Sequence, residues 1–217
     1  MAAGGNNHQQ EKLFLSLAGI QRHPMDGISL IFSSLEYAAS RHRGQFRKGA
    51  DHAPYINHPI QVADLLINKA GETDPVLIAA AILHDVIEDT VTGENEKQAL
   101  ISEMRDRFGE EVVALTLEVT DDKTLEKRER KLAQIEHASQ LSDRAKKLKI
   151  ADKIMNLHDI RLNPPQWWTL ERILGYYDWA EAVVAGMRGV NKTLEDIFDA
   201  TLAEGRLRYG AKPRDIL

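Results

Sequence analysis

The sequence predicts an all-α protein, a single helical bundle of about ten helices. Three observations lead there. Apolar residues recur at helical spacing, as in Ile28, Ile31, Phe32, Leu35 and Ala39. The periodic segments end in helix-stopping residues, among them Gly44, Gly109 and the run Asn163-Pro164-Pro165. The valine-rich stretch Val112 to Val119 sits between helical neighbours, which favours helix over strand there too.

Taken in order, residues 1–26 read as an N-terminal tail with a short helix. Met1 to Gln10 is rich in Gly, Asn and Gln, and Glu11 to Ile20 is the helix, stopped by Gln21-Arg22-His23-Pro24. The domain spans 27–210. Its first helix, Ile28 to His42, ends in Arg41-His42-Arg43-Gly44, the basic-then-glycine chemistry that suits a C-terminus. A basic loop, Gln45 to Gly49, follows. Pro59 opens a helix through Leu66, with Asn57 or His58 at its cap. Asp74-Pro75 caps the central helix, which runs on through Ala79 to Thr90. Beyond a loop at Thr92 to Glu94 come a helix from Glu96 to Phe108, a break at Gly109 and a buried helix to Val119. Thr120 to Thr124 is a polar turn, and Lys127 to Lys131 reads as a solvated helix face. The remaining helices are Ser142 to Ile160, Trp167 to Met187 with its aromatics mostly in the core, and Leu194 to Leu207. Residues 211–217 form a C-terminal tail.

At 217 residues, with 43% hydrophobic and 28% charged residues, the chain suits one soluble domain. Its net charge of -5 argues against general nucleic-acid binding, because no basic excess exists to neutralise phosphates. The absence of cysteine removes disulfides, thiolate metal sites and a cysteine nucleophile, which fits a cytoplasmic protein. No apolar run approaches the roughly 20 residues of a membrane span, and no signal peptide is seen at the N-terminus. The oligomeric state, a homodimer included, is left open.

Three stretches carry chemistry. In Ala79 to Thr90 an apolar run ends in His84-Asp85, with Glu88-Asp89 one turn on. Read as one continuous helix, this puts all four polar residues on a single arc. Such a cluster is tolerable with a bound cation or in solvent, and this stretch alone leaves the two about even. His58, before Pro59, is either a capping residue or an oriented ligand. Asp152, among Ile150, Ile154 and Leu157, needs a partner, and a lysine is the simpler one; Asn156 shares its face. Together His58, His84, Asp85 and Asp152 make an N/O donor set suited to Mn²⁺, Fe²⁺ or Mg²⁺. Such a metal polarises a phosphoryl oxygen and acidifies bound water. Glu88 and Asp89 are then placed for acid/base work, and Arg47, Lys48 and Lys127 for charge stabilisation of phosphates. The class inferred is metal-dependent phosphoester hydrolysis.

The motifs Tyr55-Ile56-Asn57-His58-Pro59-Ile60, Leu83-His84-Asp85-Val86-Ile87-Glu88-Asp89-Thr90, Val119-Thr120-Asp121-Asp122-Lys123-Thr124 and Ala151-Asp152-Lys153-Ile154-Met155-Asn156-Leu157 occur in that order. In this the chain resembles the HD-domain small alarmone hydrolases, similar to the hydrolase half of RelA/SpoT proteins and to their stand-alone animal homologue. The resemblance runs from about Ser34 to Arg188. It implies one Mn²⁺ held by His58, His84, Asp85 and Asp152, with Glu88 and Asp89 as the catalytic acidic pair. The implied reaction removes the 3′-pyrophosphate of ppGpp or pppGpp, leaving GDP or GTP. Arg47, Lys48, Tyr55 and Asn156 are implied on the nucleotide side, and Lys127, Arg172 and Tyr176 at phosphate-side or pocket-wall positions. Nothing in this sequence matches the synthetase half of the long family members, so no alarmone synthesis is expected. Met155 and His158 stand where relatives often carry Tyr and Arg, which brings adenine alarmones such as ppApp into the expected range. The alternatives on the same fold are an NADPH 2′-phosphatase, another nucleotide phosphatase, or an inactive nucleotide sensor.

Overall fold

The computed structural model describes residues 25–210. The expected helix at Glu11 to Ile20, nearly all of the N-terminal tail and the C-terminal tail lie outside the described residues. Within them the chain is all-α, with an isolated bridge between Phe46 and Pro54 and no other strand pairing. The order is α1 (Gly27–Arg41), α2 (Asn57–Asp64), α3 (Pro75–Leu83), α4 (Val86–Asp89), α5 (Glu94–Phe108), α6 (Glu110–Val119), α7 (Lys127–His137), α8 (Asp143–Leu162), α9 (Leu170–Ala185) and α10 (Lys192–Arg208). No helix among these residues is long and apolar enough to cross a membrane.

Two helices form the axis of the bundle. Every residue of α3 from Leu77 to Leu83 is buried, as an all-round apolar helix must be. It packs against α1, α2, α6 and α8. Each fully buried large aliphatic there contributes about 1.5–3 kcal/mol. The longer α8 packs against α10, α2, α6 and α9 and carries the middle of the site. Side chains cap the helix starts: Asp26 accepts from Ser29 N (2.7 Å), Asp74 from Val76 N (3.0 Å), Ser142 from Ala145 N (3.2 Å) and Asn191 from Leu194 N (3.1 Å). Gly109, at φ 87°, makes the break between α5 and α6. Gly205 of α10 lies against the buried Tyr177, where a Cβ would fall 2.0 Å from the ring.

Three local expectations are corrected. The segment Ala79 to Thr90 is not one helix: α3 stops at Leu83, His84-Asp85 form a turn, and α4 resumes at Val86. The His84 ring explains the break, since its Nδ1 lies 2.7 Å from Ala81 O and competes for a carbonyl the helix would use. Pro59 is the third residue of α2, not the first, and neither Asn57 nor His58 caps it; the helix opens on the backbone bonds Asn57 N to Pro54 O and His58 N to Tyr55 O. Finally, α9 begins at Leu170, capped by Thr169, so Trp167 and Trp168 precede it. Its aromatics are divided between two environments: Tyr177 is in the core, whereas Tyr176 and Trp179 line a cleft.

Candidate active site

The helix break turns His84 and Asp85 inward. His84 is 6% exposed and faces His58 of α2, which is 1% exposed. Asp152 of α8 completes the approach. His58 Nε2 lies 3.1 Å from Asp152 Oδ1, and His84 Nε2 lies 3.1 Å from Asp85 Oδ2. The cross distances, His58 to Asp85 and His84 to Asp152, are 3.9 and 3.8 Å. The ligand atoms of His58, His84 and Asp152 thus lie within 4.8 Å of one another, with Asp85 beside both rings. With Nδ1 donating to Ala81 O, His84 Nε2 is buried without an aligned hydrogen bond, and in the neutral ring it would offer its lone pair to the cluster. That orphaned atom and the sulfur-free donor set fit a divalent cation.

The electrostatics support the same reading. Burial opposes a charged ring at both histidines. At His58 it prevails and lowers the pKa, as a neutral ligand requires. At His84 the carboxylates of Asp85 and Asp152 overcome it and push the pKa up to about 9. Burial also raises Asp85 and Asp152, but the histidines and, at Asp152, Lys153 pull both well below the usual carboxylate range. A cation would take the place of the His84 proton in balancing them.

Glu88 and Asp89 of α4 stand beside this cluster. Burial, followed by the charges of Asp121, Asp85 and Asp89, pushes the Glu88 carboxyl up to about 7. It accepts from Asp121 N at 3.2 Å, and Lys123 Nζ lies 3.6 Å away. Lys123 reaches Asp89 Oδ1 at 2.6 Å. The Tyr55 hydroxyl contacts Asp85 Oδ2 at 2.6 Å and Asp89 Oδ2 at 3.0 Å, linking the donor cluster to the acidic pair. Burial and these two carboxylates push Tyr55 far above its ordinary value, so it stays a donor.

All of this lines a cleft of about 1100 Å³. Arg47, Lys48, Tyr55, Asn156 and Tyr176 lie on its walls with the four donors and Glu88-Asp89. Asn156 Nδ2 donates to Asp152 Oδ1 at 2.6 Å. The lysine partner anticipated for Asp152 also exists: Lys153 Nζ donates to Asp152 Oδ2 at 3.1 Å. Lys127 and Arg172 are not on the cleft walls. Lys127 borders a smaller depression with Lys131 and Leu132, and Arg172 stacks over the Trp168 ring at 4.5 Å.

Sequence reasoning missed much of the remaining wall, which includes Lys123, Arg130, Lys149, Trp168 and Trp179 beside the anticipated lysine, Lys153. Lys149 and Lys153 are buried, Lys149 donating to Val119 O at 3.0 Å. Lysines on the inner face of a helix that carries a buried Asp were the signal available. Arg130 Nε, Gln134 Oε1 and Trp168 Nε1 are buried on this wall without partners, so it retains polar capacity for a ligand.

Comparison with known proteins agrees with the geometry. The HD domain family matches residues 34–173. The guanosine-3′,5′-bis(diphosphate) 3′-pyrophosphohydrolase MESH1 of Xenopus tropicalis is 43% identical over 171 residues, 79% of this chain and 92% of that protein. The Drosophila melanogaster protein of the same name is 47% identical over 161 residues, 74% of this chain and 86% of that one. A solved structure described as a metazoan ortholog of SpoT that hydrolyzes ppGpp superposes with a TM-score of 0.75 at 41% identity, over 88% of this chain and 100% of that one. Since that match spans more than half of the chain and includes His58, His84, Asp85, Glu88, Asp89 and Asp152, the chain belongs to the HD-domain family.

Proposed function

We propose that this protein is a Mn²⁺-dependent 3′-pyrophosphohydrolase that converts ppGpp and water to GDP and pyrophosphate. The observation that carries the reading is a carboxyl held near neutrality, Glu88, beside a cluster in which His58, His84 and Asp152 bring their ligand atoms together and Asp85 stands 3.1 Å from His84. The relatives named above act on ppGpp according to their descriptions, which supports the choice of substrate.

His58, His84, Asp85 and Asp152 would hold the ion, which when bound supplies Lewis-acid polarisation of the phosphoryl group. The protein's own part is positional and acid/base. Glu88, with its pKa about 7, can accept the proton of the attacking water at neutral pH. Asp89 anchors Lys123 at 2.6 Å, which keeps an ammonium beside the reacting phosphate. Lys149, Lys153 and Arg130 face the same space and offset the charge of the departing pyrophosphate. The nitrogen and oxygen donors suit Mn²⁺, Fe²⁺ or Mg²⁺ rather than a structural zinc site, and Mn²⁺ is proposed among these from the resemblance to the alarmone hydrolases.

The test is a product assay with Mn²⁺ on ppGpp, ppApp and NADPH that separates pyrophosphate from orthophosphate. Pyrophosphate from ppGpp is expected. Faster release from ppApp would move the preference to adenine, where Met155 and His158 are the residues to exchange. Orthophosphate from NADPH alone would overturn the proposal in favour of a 2′-phosphatase.

A further inference from the structure

Arg47 invites assignment as a phosphate contact, because it is basic and lines the cleft. Its hydrogen bonds indicate otherwise. Nε and Nη2 both donate to Asp159 Oδ2, at 3.0 and 2.6 Å, and Nη2 also donates to Asn156 Oδ1 at 2.9 Å. The guanidinium edge that would grip a phosphate in two places is thus engaged within the protein, and its charge is matched by Asp159.

The bond to Asn156 has a further effect. It fixes Oδ1 as the end of the amide that faces Arg47, so Nδ2 is the end that meets Asp152 Oδ1 at 2.6 Å. Without Arg47, a flipped amide would present its oxygen to the Asp152 carboxylate. The segment that carries Arg47 is itself braced. Arg47 N donates to Ala53 O at 2.8 Å, Tyr55 N to Gln45 O at 2.9 Å, and Ala50 N to Asn163 Oδ1 at 2.8 Å at the end of α8. Gly49 lies so close to Asn163 that a Cβ would meet its side chain at 2.5 Å.

We infer that Arg47 is a positioning residue of the metal centre, acting through Asn156 on Asp152, and that the loop from Gln45 to Tyr55 clamps the centre from both sides. On one side Arg47 orients the Asp152 carboxylate; on the other Tyr55 holds Asp85. The inference rests on the metal reading of the site but not on which nucleotide is cleaved.

The experiment is a Mn²⁺ titration of the full chain, with free Mn²⁺ read by electron paramagnetic resonance, beside steady-state kinetics on ppGpp. Arg47→Ala should weaken Mn²⁺ binding about 10- to 100-fold, the range usual for residues that orient metal ligands. At saturating Mn²⁺ its KM should stay within about twofold of the parent's. Arg47→Lys should not restore the affinity, because one ammonium cannot reproduce the fork to Asp159 and Asn156. Asp159→Asn, which keeps the side-chain volume, should shift the Mn²⁺ affinity in the same direction by less and serves if Arg47→Ala does not fold. Unchanged Mn²⁺ affinity in these variants, with KM raised about tenfold, would overturn the inference and make Arg47 a phosphate contact. A parent chain that binds no Mn²⁺ would overturn the metal reading itself. One that binds Mn²⁺ but leaves ppGpp intact would refute only the proposed reaction, and the affinity comparison would still decide the role of Arg47.

Discussion

Replacing Glu88 with Gln should stabilise the metal-free protein at alkaline pH while damaging its activity. Glu88 is held in an environment unfavourable to its charge: burial comes first, then the carboxylates of Asp121, Asp85 and Asp89, and Lys123 at 3.6 Å offsets them only in part. Its pKa rises from an ordinary 4.5 to about 7. For a carboxyl raised on folding, the folded state binds the proton more tightly than the unfolded chain. Stability is then fully present below pH 4.5, falls through the window between 4.5 and about 7, and is lost above it. The full loss is about 3 kcal/mol at a side chain that is 20% exposed. Gln keeps an oxygen to accept from Asp121 N and carries no charge. In EDTA, Glu88→Gln should therefore exceed the parent by up to about 3 kcal/mol at pH 8, or about 6–12 °C in Tm for a chain of this size. At pH 4.5 the two should melt together. Turnover should drop about 10²- to 10⁴-fold, as for loss of a general acid/base group. Paired urea melts at the two pH values decide the matter. An equal difference between parent and variant at both would mean that Glu88 ionises normally and is not the poised base.

Two further substitutions probe the site and the fold. Tyr55→Phe removes the hydroxyl that touches both Asp85 and Asp89, a charged hydrogen bond worth about 1.5–3 kcal/mol. It should lower kcat about tenfold or more with KM nearly unchanged; a raised KM with kcat intact would instead place Tyr55 on the substrate. Gly205→Ala drives a methyl into the buried Tyr177 ring, whose hydroxyl is held by Leu157 O at 3.0 Å. It should cost about 1–3 kcal/mol in a urea melt, and a loss near zero would show that α10 shifts freely on α9.

Of the four donors expected from the sequence, His58, His84 and Asp152 have ligand atoms within 4.8 Å of one another; no one of them pointed to a centre alone, and only their combination and the order of the motifs did. The helix cap at Asp74 and the break at Gly109 were readable because each is a local rule. The interruption at His84 was not, since periodicity treats a side chain that takes its own helix's carbonyl like any other polar residue. Trp168 and Trp179 escaped for a related reason: a half-buried aromatic on a cleft wall has the same spacing as one in the core. Arg47 shows the limit most clearly. Its charge suggested phosphate, while its partner Asp159 lies 112 residues along the chain. Lys127 and Arg172 failed to reach the cleft walls because facing a cleft depends on the tilt of α7 and α9, which no residue pattern specifies.

The donors of the candidate centre are far apart in the chain, with Asp152 94 residues beyond His58. Such contacts require long loops to close, so the centre can assemble only after α8 has docked on α2 and α3. The ion would then be among the last components to arrive during folding. Mn²⁺ should leave the refolding rate nearly unchanged and slow unfolding, the pattern of an interaction absent from the transition state. Stopped-flow refolding and unfolding with and without Mn²⁺ would read both arms, and accelerated refolding would place the metal site in the folding nucleus instead. A centre that forms after the nucleus would let its residues be exchanged for other chemistries without slowing the acquisition of the fold.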